Sequence, residues 1–295
     1  MLLGQQFTKY MLYGGYGVGA LYGVIPYIIM TYNWFQGQYP LVKHLPFKML
    51  LPFDSQDPVL FTLTTIFLNY ASIPTNSSML GDVTLFNGIC LYISGQFQAI
   101  KLELEAISAT LDNNSVKSSA SETRRVNLEL RRICKRHQDI IDLVAETRNA
   151  FASNILIIYI FASIMICVVC VAANTVSMYL VVVELSYKYR FYSLQVEGVY
   201  KLIYVPYTMS VLTFLFFHSY SGTIISDSSD SVQTMAYDFP WYRFDCNTRH
   251  LIQMMMIRAQ YGCNVDVPFF STSLVTFSVI VRTASSYVTL MQSFL

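Results

Sequence analysis

The sequence predicts an all-α, polytopic integral membrane protein, a helical bundle with long cytoplasmic helix extensions. Three observations predict this class. Hydrophobic residues make up 54% of the 295 and charged residues only 13%, and the mean hydropathy is +0.43, which is unusual for a soluble domain. Several uncharged stretches reach the ~20 residues that cross a bilayer core. Residues 122–184 contain neither Gly nor Pro, which favours one long helix.

Composition and motifs exclude several other classes. The net charge of +1 gives no reason to expect a nucleic-acid partner. No enzyme motif occurs, so neither catalysis nor a cofactor is expected. Cys167 and Cys170 form a C-x-x-C inside an uncharged run. We expect these cysteines to be buried as small hydrophobic residues rather than to form a metal or redox site. The four histidines are scattered, and we expect His137 and His250 on solvated or interfacial helix faces.

The first hundred residues are predicted to hold two spans. Residues 10–42 carry no charge, and their glycines (Gly14, Gly15, Gly17, Gly19 and Gly23) allow a neighbouring helix to approach closely. An external loop follows over 33–58, since four prolines interrupt it. Asp57-Pro58 is a plausible helix start.

Residues 59–100 allow two interpretations, because their only charge is Asp82. They could form two spans, or one helix that bends near Pro74 and leaves the membrane. The segment 101–149 carries nine of the nineteen Lys and Arg residues, and the positive-inside rule places such a segment in the cytoplasm. We therefore predict a single helix, with 101–149 as cytoplasmic helical extensions.

The rest of the chain predicts three more spans, which makes five. Apolar residues repeat near every 3.5 positions from Val126 to Val144, as in an amphipathic helix. Residues 150–226 then hold two spans joined by an external loop, 184–201. Residues 227–295 hold a cytoplasmic return, an amphipathic helix and a last span that begins at Pro268.

The final quarter of the chain carries the most specific pattern. A polar, serine-rich segment, 226–232, expected to be a turn, precedes Ala236 to Tyr242, which contains Tyr237 and the pair Trp241-Tyr242. A basic amphipathic segment from Arg249 ends in Arg258-Ala259-Gln260, and the last apolar run contains Ser286-Tyr287. This order closely resembles the end of insect odorant receptors.

The resemblance implies a fold and a function. Insect odorant receptors are seven-helix ligand-gated channels, so five spans imply that the family's first two helices are missing, through a shortened gene model or a truncated product. The implied role is the tuning subunit of an odorant-gated, non-selective cation channel. Its implied partners are a small volatile odorant, the lipid bilayer and the common co-receptor in a hetero-tetramer. It would lie in the plasma membrane of a sensory dendrite with its C-terminus outside. The alternatives are a gustatory-type or G-protein-coupled chemoreceptor, or a non-functional truncated product.

Aromatic and polar side chains at helical spacing on three spans form a candidate odorant pocket. An apolar ligand needs aromatic and aliphatic walls with a few polar groups, and the resemblance puts this pocket between the outer halves of the spans. The candidates are Tyr22, Tyr27 and Met30 on the first span, Phe61, Thr65 and Asn69 on the second, and Tyr204, Tyr207 and Thr208 on the fourth. The alternative interpretation is helix packing with an interfacial tyrosine belt.

The last span is unusually polar for a membrane segment, which suits a helix that lines a water-filled path. The resemblance implies a central pore shared by four subunits, with a gate near the outer end of this helix. The candidate pore and gate residues are Thr283, Tyr287, Leu290, Gln292 and Phe294. The alternative is a polar stripe used for contacts between helices. Arg282 is expected to face protein or water rather than lipid.

The basic amphipathic segment is a candidate subunit anchor. Leu251, Met254, Met255 and Arg258 are expected on one side of its helix. The resemblance implies a cytoplasmic anchor where subunits meet, and the candidates are Trp241, Arg249, Leu251, Met255 and Arg258. The alternative is an amphipathic helix that lies on anionic lipid. The sequons at Asn76 and Asn113 are expected to stay unglycosylated.

Overall fold

In the computed structural model, residues 2–35, 45, 51–52, 57–111, 120–182 and 187–293 are described, and they are almost entirely helical. The helices are α1 (Leu2–Phe35), α2 (Pro58–Thr110), α3 (Ala120–Val182), α4 (Tyr187–Asp238), α5 (Cys246–Ala259) and α6 (Leu274–Ser293). A 3-10 turn, Trp241–Arg243, precedes α5, and two short strands, β1 (Asp266–Val267) and β2 (Phe270–Ser271), precede α6.

The two long central helices are confirmed. α2 runs for 53 residues and continues through Pro74. α3 runs for 63 residues, which corresponds to ~95 Å at ~1.5 Å per residue. The predicted start of α2 is also confirmed, because a side-chain oxygen of Asp57 accepts a hydrogen bond from the Val59 backbone N–H at 3.0 Å. Most of the predicted 33–58 loop lies outside the described residues, as does the connection between α2 and α3 apart from Leu111.

Two predicted loops on α4 are wrong. The external loop 184–201 is helical from Tyr187 onward, because this stretch lacks Pro and its charges do not stop a helix. The polar segment 226–232 was expected to be a turn in the cytoplasmic return, but α4 continues to Asp238. Hydroxyl groups there donate to backbone carbonyls of their own helix; for example, Ser231 donates to the Ser228 carbonyl at 2.7 Å. The serine side chains are therefore satisfied within the helix and do not form the hydrogen bonds of a turn.

The last span does not begin at Pro268. β1 and β2 pair in antiparallel fashion as a hairpin, with Val267 opposite Phe270, and α6 starts only at Leu274. The side-chain oxygen of Ser273 accepts a hydrogen bond from the Thr276 backbone N–H at 3.3 Å, which caps the helix start. The β-branched residues around Pro268 were the available signal for a hairpin.

The chain divides into two compact units. The first comprises Met1–Leu85, Ala162–Phe214 and Arg282–Leu295, and the second Phe86–Phe161 and Leu215–Val281. In the first unit, α1 and α2 run antiparallel in close contact. Successive glycines of α1 face α2 side chains: Gly15 faces Leu80, Gly19 faces Asn76 and Gly23 faces Asn69. The close approach predicted from the glycine-rich sequence is therefore confirmed.

The second unit contains most of the described apolar core. The predicted amphipathic repeat on α3 is confirmed, since Val126, Leu130, Ile133, His137, Ile140 and Val144 are all buried. The expectation that His137 lies on a solvated face is wrong. Its side chain is 2% exposed because it occupies a core position of the repeat, where its ring packs edge-on against Phe97 at 6.0 Å.

Among the described residues, two helical stretches are long and apolar enough to cross a membrane, within 120–168 and 208–243. The first includes the uncharged part of α3 as far as Val168, and the second includes the apolar part of α4 from Thr208 onward. Their apolar windows are mostly not buried within the chain, as expected of segments that face lipid or other protein.

Candidate pocket, pore and anchor regions

The nine candidate pocket residues all fall within the first unit. On α2, Phe61 and Thr65 are buried, at 4% and 0% exposure, and Asn69 is half-buried against Gly23 of α1. The Thr65 hydroxyl donates to the Phe61 carbonyl at 2.8 Å, which leaves its oxygen able to accept another hydrogen bond. This part of α2 thus combines an aromatic ring with two polar groups, as a small-molecule site requires.

The other pocket candidates are placed less fully. On α1, Tyr27 is 39% exposed and Met30 is half-buried, and on α4 Thr208 is also half-buried. Tyr22, Tyr204 and Tyr207 lie on the described helices, but their side chains are outside the described part of the structure. The nine-residue pocket therefore remains a prediction.

The second half of α6 presents polar side chains on its surface. Thr283, Tyr287 and Leu290 are exposed, the last two by 54% and 52%. The side chain of Gln292 and the whole of Phe294 lie outside the described residues. Arg282, Ser285, Ser286 and Thr289 are exposed as well, so the helix carries polar groups on more than one face.

The hydroxyls of α6 bond to the backbone of their own helix. Ser285 and Ser286 both donate to the Arg282 carbonyl, at 2.8 and 3.0 Å, and Thr289 donates to the Ser286 carbonyl at 2.9 Å. Such bonds satisfy the donor but leave oxygen lone pairs facing outward. A helix of this kind can line water or pack against other helices, so both interpretations of the polar stripe stay open.

The base of α6 is fixed within the second unit. The Leu274 backbone N–H donates to the Thr223 hydroxyl of α4 at 3.0 Å, and the Phe277 ring meets Phe216 edge-to-face at 5.6 Å. These two contacts attach the start of α6 to α4.

The candidate anchor helix, α5, is well defined. Asp245 caps it by accepting from the Thr248 backbone N–H at 3.1 Å, and hydrogen bonding from Thr248 lowers the pKa of the Asp245 carboxyl. Trp241 is half-buried just before the cap. The exposed Arg249 side chain donates to the Phe244 carbonyl at 2.8 Å. This bond joins the first turn of α5 to the residue before its cap.

The faces of α5 differ from the prediction. The buried side consists of Thr248, Ile252, Met255 and Ala259, while Leu251 is half-buried and Arg258 is exposed. Sequence reasoning missed an exposed apolar strip at helical spacing, formed by Met254, Ile257 and Tyr261 at 57%, 59% and 80% exposure. The spacing of three or four residues was the signal that could have found it.

α5 packs along the first half of α3. The Asn127 amide donates to the Thr248 hydroxyl at 3.0 Å, and the Cys134 thiol reaches the Leu251 carbonyl at 3.8 Å. Burial, together with the positive charge of Arg258 on α5, lowers the pKa of His137 to about 4, so this imidazole is neutral at cellular pH. Arg136 joins the same stretch of α3 to α2 through Glu103 at 2.5 Å and Gln96 at 2.7 Å.

Sequence reasoning also missed a polar seam, which we define as the buried hydroxyls of α4 and their partners. Ser219 meets the Tyr159 hydroxyl at 2.5 Å and Ser228 meets Ser94 at 2.6 Å. Ser221 donates to the Asn87 side-chain oxygen. All six residues are buried. The serine-rich composition around 219–231 was the available signal, but residues up to 226 were assigned to a span and 226–232 to a turn.

Long continuous helices, apolar stretches long enough to cross a membrane and a polar terminal helix are the features of a helical membrane bundle. The chain belongs to the 7tm odorant receptor family, whose model matches residues 4–285. It is a multi-pass membrane protein of a receptor family. The predicted fold class and the predicted family are both confirmed, and the gustatory-type and G-protein-coupled alternatives lose their support.

Relatives and solved structures agree with this assignment. The chain is 30% identical to odorant receptor 22c of Drosophila melanogaster over 97% of its length, and 26% identical to odorant receptor 10a of the same species over 96%. It covers 66% and 65% of those proteins, so it spans about two thirds of their length. The olfactory receptor OR5 of Machilis hrabei in complex with eugenol shares the fold, with a TM-score of 0.66 at 12% identity, covering 100% of this chain and 69% of OR5.

Proposed function

We propose that this chain acts as the odorant-recognising subunit of an odorant-gated, non-selective cation channel that works with the common co-receptor. The observation that carries the proposal is α6, a 20-residue helix whose outer half exposes hydroxyls, an arginine and a tyrosine in a family of membrane receptors. Groups of this kind are costly against lipid and suit a water-lined path between subunits.

Ligand recognition is proposed for the first unit. Phe61, Thr65 and Asn69 combine aromatic and hydrogen-bonding groups on one helix, and OR5, whose fold this chain shares, was solved with the small molecule eugenol. Binding of a volatile odorant there would shift a closed–open equilibrium by its unequal affinity for the two states. The channel would lie in the plasma membrane of a sensory neuron dendrite, with the C-terminus outside.

Electrical recording tests the proposal. The chain, the co-receptor and the pair are each expressed in oocytes and exposed to an odorant panel. We expect odorant-evoked cation currents from the pair that differ in ligand preference from those of the co-receptor alone. An epitope added after Leu295 should be reached by antibody on intact cells. A hidden epitope would instead place the C-terminus inside, as in a G-protein-coupled receptor, and would overturn the channel proposal.

Two threonines of α2 provide a matched test of the pocket. Both donate to a carbonyl one turn earlier at 2.8 Å, but Thr65 is buried and Thr62 is exposed. For an odorant with a hydroxyl group, Thr65→Val should raise the half-maximal concentration by about 2- to 10-fold, since one hydrogen bond is lost. Thr62→Val should leave it unchanged. Equal responses of both variants would remove Thr65 from the pocket.

A further inference from the structure

Arg282 is the one charged residue in the last part of the chain, 267–295. It lies eight residues after the first residue of α6, and its side chain is exposed. An arginine side chain is positively charged at any cellular pH. Ionisable residues within membrane-spanning segments are rare and mark the paths of ions or substrates, so the depth and the surroundings of Arg282 bear on how the protein handles ions.

Two contacts show that α6 runs antiparallel to α4. The first backbone N–H of α6 donates to Thr223 at 3.0 Å, whereas Phe277, further along α6, meets Phe216, which is earlier on α4, at 5.6 Å. From its start, α6 therefore extends away from Asp227, the first carboxylate after the apolar part of α4. At ~1.5 Å per residue, Arg282 lies ~18 Å from the level of Asp227, which is more than half the ~30 Å of a hydrocarbon core.

Exposed hydroxyl residues of α6 share one face with Arg282. They lie four residues before it and three, four, seven and eleven residues after it, which is the spacing of a single helix face. They are Ser278, Ser285, Ser286, Thr289 and Ser293. The half-buried residues of this stretch lie on the other side of the helix, and they are Phe277, Ile280, Val281 and Ala284. The polar face of α6 is therefore opposite the side that packs.

This face combines neutral oxygens with one fixed positive charge. The hydroxyls of Ser285, Ser286 and Thr289 donate to carbonyls of their own helix, so their oxygen lone pairs are directed outward, where hydrated cations can use them. A positive charge beside such a row raises the energy of a cation in proportion to the charge of that cation. At ~8 Å in a water-like dielectric, one arginine disfavours a divalent ion about twofold more than a monovalent one.

We propose that Arg282 faces the water-filled path of the channel and there disfavours divalent cations relative to monovalent cations. This inference rests on the proposed function, because an ion preference requires that α6 line a path for ions. It assigns to one side chain of this subunit the balance between Na⁺ and Ca²⁺ in the odorant-evoked current.

The reversal potential of the odorant-evoked current tests the proposal. The chain and the co-receptor are co-expressed in oocytes, and Na⁺ is then replaced with Ca²⁺ as the main external cation. Arg282→Gln should raise the permeability to Ca²⁺ relative to Na⁺ about twofold, and Arg282→Glu should raise it further. Arg282→Lys should leave it unchanged, because the charge is kept. Arg131→Gln is the matched control, since it removes an exposed arginine of α3 and should also leave the ratio unchanged.

Chemical restoration of the charge tests whether water reaches this position. Arg282→Cys is treated with a methanethiosulfonate that carries a trimethylammonium group, which should return the permeability ratio to the wild-type value. A neutral methanethiosulfonate of similar size should not. The wild type treated with the same reagents is the control, because Cys167 and Cys246 are exposed. If neither reagent acted on Arg282→Cys, position 282 would lie outside the water-filled path and the inference would be wrong.

The possible failures are distinguishable. Odorant-evoked currents with an unchanged ion preference in Arg282→Gln and Arg282→Glu would overturn this inference and leave the proposed function standing. The absence of odorant-evoked current from the wild-type pair would overturn both. Surface labelling identifies a structural role: if Arg282→Gln and Arg282→Cys failed to reach the surface while Arg282→Lys did, Arg282 would belong to an ion pair that maintains the fold, and the inference would again be overturned.

Discussion

Gly222 determines how closely the hairpin can approach α4. A methyl group at this position would overlap the Thr272 carbonyl oxygen, which is backbone and cannot move alone. Both residues are buried, so the collision cannot be relieved by turning a side chain toward solvent. The position of β2, and with it the start of α6, therefore depends on a single missing Cβ atom.

Gly222→Ala should destabilise the protein by about 1–3 kcal/mol through overpacking. Gly88→Ala on α2 is the control, because a Cβ there meets nothing within 4 Å, and alanine should slightly favour the helix. Thermal unfolding of purified protein in detergent measures both variants. Equal melting temperatures would show that α4 and the hairpin are not in close contact.

His137 contributes a pH dependence of stability. Its pKa falls from 6.5 to about 4 on folding, so the unfolded chain binds a proton that the folded chain does not between these values. The free energy of unfolding therefore decreases as pH falls from 6.5 toward 4, by at most about 3 kcal/mol. In thermal unfolding scans across this pH range, the stability of His137→Phe should change less with pH than that of the wild type. An equal change in both proteins would show that His137 is not the source of the pH dependence.

The glycine face of α1 acts at the scale of a whole helix. Gly15, Gly19 and Gly23 repeat at four-residue intervals and let α2 side chains approach the α1 backbone. Tyr16 adds a hydroxyl contact to Ser77 of α2 at 2.8 Å. Small residues at this spacing are a general means of helix association in membranes, so this face determines how α1 pairs with the helix that carries Phe61 and Thr65.

Replacing Gly19 with Leu should separate α1 from α2 and lower stability by about 1–3 kcal/mol, because its Cβ would lie 2.7 Å from the Asn76 amide nitrogen. Gly17 lies on the same helix with open space around it, so Gly17→Leu should be nearly neutral. Thermal unfolding in detergent, followed by size-exclusion chromatography, compares the two. A larger loss from the Gly17 variant would contradict the assigned face.

Long elements could be predicted from the sequence more readily than short ones. The absence of Gly and Pro from 122–184 and the basic block after 100 predicted α3 and the single α2. The continuation of α4 and the hairpin could not be predicted in this way. Serines favour turns in isolation, and only burial of Ser221 and Ser228 against α2 determines that the segment is helical. The two-residue strands β1 and β2 could not be predicted either, because each forms only by pairing with the other.

At the scale of the whole molecule, the two sequons test the topology. Asn76 lies on α2 beside Gly19, and Asn113, outside the described residues, lies in the segment expected in the cytoplasm. Treatment of the expressed protein with glycosidase should therefore leave its electrophoretic mobility unchanged. A shift that Asn113→Gln abolishes would place the connection between α2 and α3 outside the cell and reverse the predicted orientation.

The sequence could predict which helix carries the candidate pocket residues, but not which side chains they contact. The spacing of Phe61, Thr65 and Asn69 predicts a shared helix face without naming what that face meets. The glycines of α1 predict the close approach of another helix but do not identify it as α2, because the contacting residues lie between 46 (Gly23 and Asn69) and 65 (Gly15 and Leu80) positions apart. For the same reason the burial of His137 beside Phe97 escaped prediction, although its repeat position was recognised.

The polar seam along α4 has a mechanical consequence. Interlocked leucines resist axial displacement, because each must leave one hollow before it enters the next. Serine side chains are short, and a hydroxyl that loses one partner can rotate to another acceptor or to the carbonyl one turn back. The contacts of Ser219, Ser221 and Ser228 can therefore be exchanged one at a time, so the polar seam itself resists a small axial shift of α4 less than an interlocked apolar contact would.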